Sequence, residues 1–138
     1  MVTFHVENIP FLLSNRQKLK AWVKQVLANE EKKLGEICYI FCSDSYLLSL
    51  NKTYLNHDYL TDVITFDYSE HSAIFGDIFI SVDRVRANAQ KYNVSFENEL
   101  HRVMVHGVLH LCGYKDSSKS ARLVMQGKED LYLAKIQF

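Results

Sequence analysis

Four short stretches of the chain are rich in β-branched and aromatic residues. In the first of them, residues 2–7, apolar and polar positions alternate strictly. Alternation with a period of two is typical of a strand that buries one face. The pattern therefore predicts four β-strands, at residues 2–7, 36–43, 61–68 and 75–82.

Five other stretches place apolar residues three or four positions apart, which is the spacing of an amphipathic helix. The strongest of them, residues 95–112, is apolar over most of its circumference, so we expect it to be buried on several sides. The predicted helices are residues 14–31, 45–55, 84–92, 95–112 and 119–135, with Ser14 or Asn15, Asp44, Asp83 and Ser95 as N-terminal caps.

Together these elements predict an α+β fold, with a roughly four-stranded mixed sheet packed against about five helices. The 138 residues are enough for one domain with one core, so we expect residues 1–138 to form a single domain. No apolar run approaches the length of a membrane span, and the first residues do not have the pattern of a signal peptide. A cytoplasmic protein with no membrane association is the expectation.

Charge and cysteine content narrow the possible functions. The formal net charge is zero, so the overall charge offers no argument for a nucleic-acid partner, although a local basic surface stays possible. The odd number of cysteines argues against a disulfide framework. Cys38 and Cys42 lie in one predicted strand, where four residues span roughly 13 Å, too far for a disulfide and unfavourable for a metal clip. We expect free thiols at Cys38, Cys42 and Cys112.

Two histidines, His106 and His110, lie four residues apart on the predicted helix 95–112. At roughly 100° per residue they share one stripe of that helix. Imidazoles on so apolar a helix need polar partners, because a buried polar group without a hydrogen bond costs free energy. The pair is therefore either two core histidines bonded to carbonyl groups or two ligands of one metal ion.

The residues that follow favour the metal. Gly113 can end the helix with a positive φ and turn the chain, and the turn can present Asp116 to the two imidazoles. Two histidines, a carboxylate and an open fourth position form the layout of a catalytic metal site. The alternative is that Asp116 caps the final helix near Ser117 and Ser118.

Other polar residues have more than one interpretation. Glu99 shares the histidine stripe and is a weak catalytic candidate; it is either a hydrogen-bond partner of a ligand or a solvated acid in the first helical turn. Asp62 and Asp77 are predicted at strand ends, where they suit a site or a turn equally. The remaining histidines show no grouping and are not expected to be ligands: His5, His57, His71 and His101.

The histidine spacing is similar to that of the metzincin proteases, His-Glu-x-x-His-x-x-Gly-x-x-His. A metzincin has its general-base glutamate directly after the first histidine, and this chain has Gly107 there. A peptidase mechanism would lack its proton acceptor. The sequence therefore predicts a metal site of similar spacing with different chemistry.

The stretch from His106 to Tyr114 resembles the core motif of the YbeY family, His-Gly-x-Leu-His-Leu-x-Gly-Tyr-Asp-His. Seven positions carry this likeness: His106, Gly107, Leu109, His110, Leu111, Gly113 and Tyr114. Three further blocks extend it over about the last two-thirds of the chain, at Leu50, Asn51, Thr61, Asp62, Val63 and Phe66, at Gly76, Asp77, Ile78, Ile80 and Ser81, and at Met125 and Glu129.

The resemblance implies a metal-dependent endoribonuclease of ribosomal RNA maturation, with precursor ribosomal RNA or the small ribosomal subunit as its partner. It implies one zinc ion per chain at His106, His110 and Asp116. The family has a histidine where Asp116 stands, and two histidines with a carboxylate also suit iron or manganese. The family's arginine, associated with RNA phosphate, corresponds to Leu55. A non-catalytic ribosome-assembly factor with a structural metal is the alternative, and a metallopeptidase is disfavoured.

Overall fold

The computed structural model describes residues 1–71 and 73–136. Its strands are β1 (Val2–Glu7), β2 (Lys33–Cys42), β3 (Val63–Asp67) and β4 (Ala73–Ser81). Its helices are α1 (Arg16–Asn29), α2 (Asp44–Leu55), α3 (Val82–Tyr92), α4 (Phe96–Leu111) and α5 (Lys119–Leu133). The α+β class and the numbers of strands and helices predicted from the sequence are confirmed for the described residues.

The four strands form one mixed sheet in the order β1-β2-β4-β3. β1 pairs with β2 and β2 with β4 in parallel, whereas β3 and β4 are antiparallel neighbours joined by a short connection. The parallel pairs need crossover connections, which α1 and α2 provide along the chain. The sheet is mixed, and not fully parallel, because β3 and β4 run antiparallel.

Helix α4 is the centre of the fold and lies against the sheet. Its residue Gly107 packs on β4 so closely that an added Cβ atom would lie 2.8 Å from Ile78 Cγ2. The buried Tyr39 of β2 donates a hydrogen bond of 2.9 Å from its hydroxyl to the carbonyl oxygen of Met104. These contacts hold α4 against the sheet.

Several predicted element ends are wrong by one to three positions. β2 begins at Lys33 rather than residue 36, and α3 begins at Val82 rather than residue 84. The caps of α2 and α3 are Ser43 and Ser81, whose hydroxyls accept from the backbone N–H three residues on, and not Asp44 and Asp83.

The prediction for α1 is also corrected. Asn15 stands at the cap position, but its φ of 62° is left-handed and its side chain makes no capping hydrogen bond. The cap of α4 is Ser95, as predicted, and its hydroxyl accepts from Asn98 N at 3.0 Å.

Among the described residues, no helix combines the length and the apolar character that a membrane span requires.

Candidate metal centre

The side chains of His106 and His110 meet on one face of α4. Their Nε2 atoms are 3.0 Å apart. Asp116 Oδ2 lies 3.4 Å from His106 Nε2 and 3.3 Å from His110 Nε2. The three ligand atoms lie within 4.8 Å of one another, and they form the metal-capable group found among residues 1–71 and 73–136. The structure thus brings together the three residues that the sequence selects.

The turn after α4 delivers Asp116 to this point. Gly113 has a φ of 106°, as expected for a glycine that ends a helix and reverses the chain. Its N–H donates to the carbonyl of His110 at 3.0 Å, and the N–H of Tyr114 donates to the carbonyl of Leu109 at 3.0 Å. The alternative role for Asp116 is wrong, because the hydroxyl of Ser118 caps α5 by accepting from Ala121 N at 3.1 Å.

Each imidazole is held at its other nitrogen. His110 Nδ1 is 2.9 Å from the carbonyl oxygen of Tyr114, and His106 Nδ1 is 2.6 Å from Glu129 Oε2. A carbonyl can only accept, so His110 Nδ1 carries a proton, and the lone pair of a neutral ring lies at Nε2. The Glu129 carboxylate imposes the same tautomer on His106. Metal-binding histidines characteristically donate their second nitrogen to a carboxylate or a carbonyl in this way.

Charge and distance at the centre fit a divalent ion. Two imidazole lone pairs and a carboxylate that face one point repel one another unless a proton or a cation lies between them. Ligand atoms about 2.1 Å from one tetrahedral ion lie roughly 3.4 Å apart, and the observed separations are 3.0, 3.3 and 3.4 Å. The donor set, two nitrogens and one oxygen, suits zinc and also iron or manganese.

Glu129 is itself fixed by an ion pair. Arg102 Nη1 lies 2.8 Å from Glu129 Oε1, and Arg102 Nη2 lies 2.6 Å from Asp130 Oδ1. Both oxygens of the Glu129 carboxylate are therefore committed, one to Arg102 and one to His106. Burial lowers the pKa of His106, but the bond to Glu129 and its charge outweigh this effect and raise the pKa above the usual value for histidine.

The sequence alone did not identify Glu129 and Arg102 as the residues that hold His106 in place. Glu129 is singled out only by the family resemblance, and no sequence pattern singles out Arg102. One signal was available for Arg102, which lies four residues before His106 and therefore on the same face of α4. The approach of Glu129 depends on the packing of α5 against α4, which local spacing does not reveal.

Of the two roles considered for Glu99, the solvated acid in the first helical turn is wrong. Its side chain is buried, with 5% exposure, and it lines a cavity of about 540 Å³ together with Asp62, His106 and Asp116. Burial raises the pKa of Glu99, and the negative charge of Asp62 raises it further. The partly buried carboxyl of Asp62 also has a pKa that burial raises. Glu99 can therefore hold a proton closer to neutral pH than an ordinary glutamate can.

The two aspartates predicted at strand ends lie in different parts of the structure. Asp62 lies just before β3, near the metal centre, and accepts from Asn88 Nδ2 at 3.3 Å. Asp77 lies inside β4, not at its end, and accepts from the Tyr68 hydroxyl at 3.2 Å in a separate cavity. The four histidines that were not expected to be ligands, His5, His57, His71 and His101, lie outside the metal-capable group.

The three ligands lie between two open cavities. The larger one, of about 540 Å³, is lined by His106 and Asp116 among several acidic side chains. The smaller one, of about 330 Å³, is lined by all three ligands and by the loop 56–61. The ligand side chains of His106, His110 and Asp116 are 22%, 24% and 43% exposed. All three candidate ligand side chains are therefore accessible from solvent.

Comparison with known proteins identifies the family of this chain. The sequence model of the family described as "Endoribonuclease YbeY" matches residues 5–137. The endoribonuclease YbeY of Flavobacterium psychrophilum is 55% identical over 130 residues, which are 94% of this chain and 92% of that protein. The endoribonuclease YbeY of Bacteroides fragilis is 44% identical over 133 residues, 96% of each chain.

A solved structure shares the fold. The solution structure of TM1509 from Thermotoga maritima superposes with a TM-score of 0.70 at 26% sequence identity. The superposition covers 99% of this chain and 89% of that chain. Sequence and fold thus agree over nearly the whole length.

Proposed function

Because the chain belongs to the endoribonuclease YbeY family, we propose that it is a metal-dependent endoribonuclease that acts in the maturation of ribosomal RNA. The observation that carries this proposal is the convergence of His106 Nε2, His110 Nε2 and Asp116 Oδ2 on one point. Three protein ligands leave a fourth position for water or substrate, which is the arrangement of catalytic rather than structural zinc sites.

The proposed cofactor is one zinc ion per chain, held by His106, His110 and Asp116. A divalent ion here supplies Lewis acidity next to an RNA phosphodiester. The residues around it orient the ligands: Glu129 holds His106 through Nδ1, and the Tyr114 carbonyl holds His110 in the same way. Because both rings are held at Nδ1, their Nε2 atoms need only a small adjustment to bind the ion.

The proposed substrate is precursor ribosomal RNA, free or on the small ribosomal subunit, and the proposed location of the reaction is the cytoplasm. The relatives from Flavobacterium and Bacteroides are named as endoribonucleases and match over almost the full chain. The two cavities beside the ligands give a polymer access to the ion from more than one side.

A non-catalytic assembly factor with a structural metal is the second candidate. A structural site is closed by a fourth protein ligand, whereas the ligands here line open cavities. A metallopeptidase is disfavoured because Gly107, at the position of the metzincin glutamate, faces Ile78 of the sheet and not the ligands. The accessible centre therefore favours the nuclease.

The proposal is tested by measuring metal content and RNA cleavage on the same preparations. Purified protein should carry about one divalent ion per chain by elemental analysis and should cleave a structured ribosomal RNA fragment. The double variant His106→Ala, His110→Ala loses two of three ligands, so its metal affinity should fall by orders of magnitude and cleavage should cease.

The variant His5→Ala is the control, since it removes an exposed histidine on β1, outside the metal-capable group. It should keep both metal and activity. Stoichiometric metal in the double variant would overturn the ligand assignment. Full metal binding by the wild-type protein without any RNA cleavage would favour the assembly factor.

A further inference from the structure

The smaller cavity beside the ligands has an unusual wall. Besides His106, His110 and Asp116, it is lined by the loop 56–61, which follows α2 and carries two exposed aromatic rings. The cavity volume of about 330 Å³ lies in the range of small-molecule pockets. A group held in this cavity would lie directly beside the proposed metal ion.

The aromatic rings belong to His57 and Tyr59. Their centroids are 5.1 Å apart with an interplanar angle of 23°, so the rings are stacked. Tyr59 Oη lies at hydrogen-bond distance, 3.0 Å, from His57 Nδ1. Tyr59 is nevertheless 56% exposed, so much of its ring surface is open to a third flat group.

A buried side chain of α2 holds the backbone of the loop in place. Asn51, which is 2% exposed, donates from Nδ2 to the carbonyl oxygen of Tyr59 at 2.9 Å. The backbone carbonyl of Asn51 accepts from His57 N at 3.1 Å. One residue of α2 thus fixes the backbone on both sides of the loop, which holds the stacked rings in place although they are exposed.

Electrostatics distinguish the two cavities. The larger cavity is lined by five carboxylates, Asp62, Glu99, Asp116, Glu129 and Asp130, and by only two arginines. Beyond Asp116, the lining of the smaller cavity contributes the single carboxylate of Asp62, and no lysine or arginine among the described residues. A polyanion is repelled less by the smaller cavity, but it finds no fixed cation there. Recognition in this cavity must use ring surface rather than salt bridges.

We propose that Tyr59, backed by His57, is a stacking platform for one unpaired base of single-stranded RNA adjacent to the phosphate at the metal centre. This proposal rests on the proposed endoribonuclease function and adds a base-binding subsite to it. Bases stack on aromatic side chains irrespective of their identity, because every base has a π face. Leu55, also in the cavity lining, adds apolar surface beside the platform.

A competition assay with the metal-loaded protein tests the subsite. Two unlabelled competitors are added to the cleavage reaction, hexa-adenylate and an abasic hexamer with the same ribose-phosphate backbone. Both carry the same charge, so the ratio of their inhibition constants reports base binding alone. With wild-type protein, hexa-adenylate should inhibit about 5- to 150-fold more strongly, the range expected for one base stacked on an aromatic ring.

The variants identify the ring responsible. Tyr59→Ala should abolish the preference for hexa-adenylate and raise KM for RNA by a similar factor, with kcat changed less. Tyr59→Phe and Tyr59→Trp keep a ring and should keep the preference. Tyr68→Ala is the matched control, since Tyr68 is also 56% exposed but lines a different cavity. It should behave as wild type.

Two results would overturn the subsite and are distinguishable. If wild-type protein cleaves RNA and Tyr59→Ala keeps the same KM and the same competitor ratio, the nuclease stands and the platform is wrong. If wild-type protein neither binds nor cleaves RNA, the proposed function and the platform both fall. Circular dichroism of each variant confirms that a changed KM does not reflect unfolding.

Discussion

At the scale of single residues, Asp116 is the point at which this metal centre differs from the histidine that its family resemblance implies. Its Oδ2 atom is shared between the two imidazoles, at 3.4 Å from His106 Nε2 and 3.3 Å from His110 Nε2. A carboxylate brings a negative charge to the ion, so water there should be less acidic than beside three neutral imidazoles. We therefore expect aspartate at this position to influence both the metal affinity and the pH response of the proposed enzyme.

We predict opposite outcomes for two substitutions of this residue. Asp116→His should keep the metal, because imidazole is also a zinc ligand, and should shift the alkaline limb of the pH–rate profile to lower pH. Asp116→Ala should weaken metal binding by about 10- to 100-fold or more. Metal affinity and melting temperature are measured on both variants.

Ser118→Ala is the control for this prediction. It removes the observed cap of α5, so it should cost about 1 kcal/mol of stability and leave metal affinity unchanged. If Asp116→Ala lost only stability and kept its metal, Asp116 would not be a ligand.

The three candidate ligands could be selected from the sequence because they are local. His106, His110 and Asp116 lie on one helix and the turn that ends it, so helical geometry and one glycine are enough to bring them together. Glu129 and Arg102 meet only when α5 packs on α4, and Glu99 is buried only by tertiary packing. Spacing along the chain carries no information about such contacts.

At the scale of elements, the shifted caps of α2 and α3 have a structural cause. The two helices begin side by side, and their first residues bond to each other. Asp83 Oδ2 accepts from the backbone N–H of Asp44 at 2.9 Å, and Ser81 Oγ donates to Asp44 Oδ1 at 2.6 Å. Each aspartate bonds to the start of the other helix. The preceding serines, Ser43 and Ser81, therefore cap their own helices. The sequence predicted the helices but not this exchange between them.

Gly107 is a second feature of element packing, and it gives a testable prediction. Gly107→Ala places a Cβ atom 2.8 Å from the stiff, fully buried Ile78, so α4 must move away from the sheet. Overpacking costs about 1–3 kcal/mol. The helix propensity gained by alanine, about 1 kcal/mol, offsets part of it. The melting temperature should fall, and metal affinity should fall with it.

Gly127→Ala is the matched control, because Gly127 also lies inside a helix but nothing lies within 4 Å of its added Cβ atom. It should stabilise the protein by about 1 kcal/mol. Equal stabilisation by the two alanines would show that α4 is not in tight contact with β4.

At the scale of the whole molecule, Glu30 joins the end of α1 to the C-terminal part of the chain. Its carboxylate accepts from the Tyr114 hydroxyl at 2.6 Å, from the Tyr132 hydroxyl, and from Lys128 Nζ at 3.1 Å. Nearby, Trp22 Nε1 donates to the carbonyl of Tyr132 at 2.9 Å. Tyr114 also supplies the carbonyl that holds His110, so this network connects the periphery of the fold to the metal centre.

We predict that this network makes the free energy of unfolding depend on pH. Burial would raise the pKa of Glu30, but the hydrogen bonds from Tyr114, Tyr132 and Lys128 hold it below its usual value. A carboxyl with a lowered folded pKa contributes stability that is present above about pH 4.3 and is lost as pH falls through the folded pKa. Glu30→Gln should lower stability by about 1–3 kcal/mol at neutral pH and flatten this acid dependence.

Thermal unfolding measured from neutral pH down to strongly acidic pH checks the prediction, with Glu31→Gln as the exposed neighbouring control. The control should follow the wild-type curve. Parallel curves for Glu30→Gln and wild type would show that Glu30 does not titrate with folding.

The contiguity of the candidate metal ligands has a consequence for RNA binding. The candidate ligands come from the continuous segment between His106 and Asp116, whereas Tyr59 and His57 come from a separate loop after α2. Substitutions in that loop change the wall of the cavity without removing a ligand. We therefore expect changes in the loop 56–61 to alter which RNA is bound without altering the proposed metal chemistry.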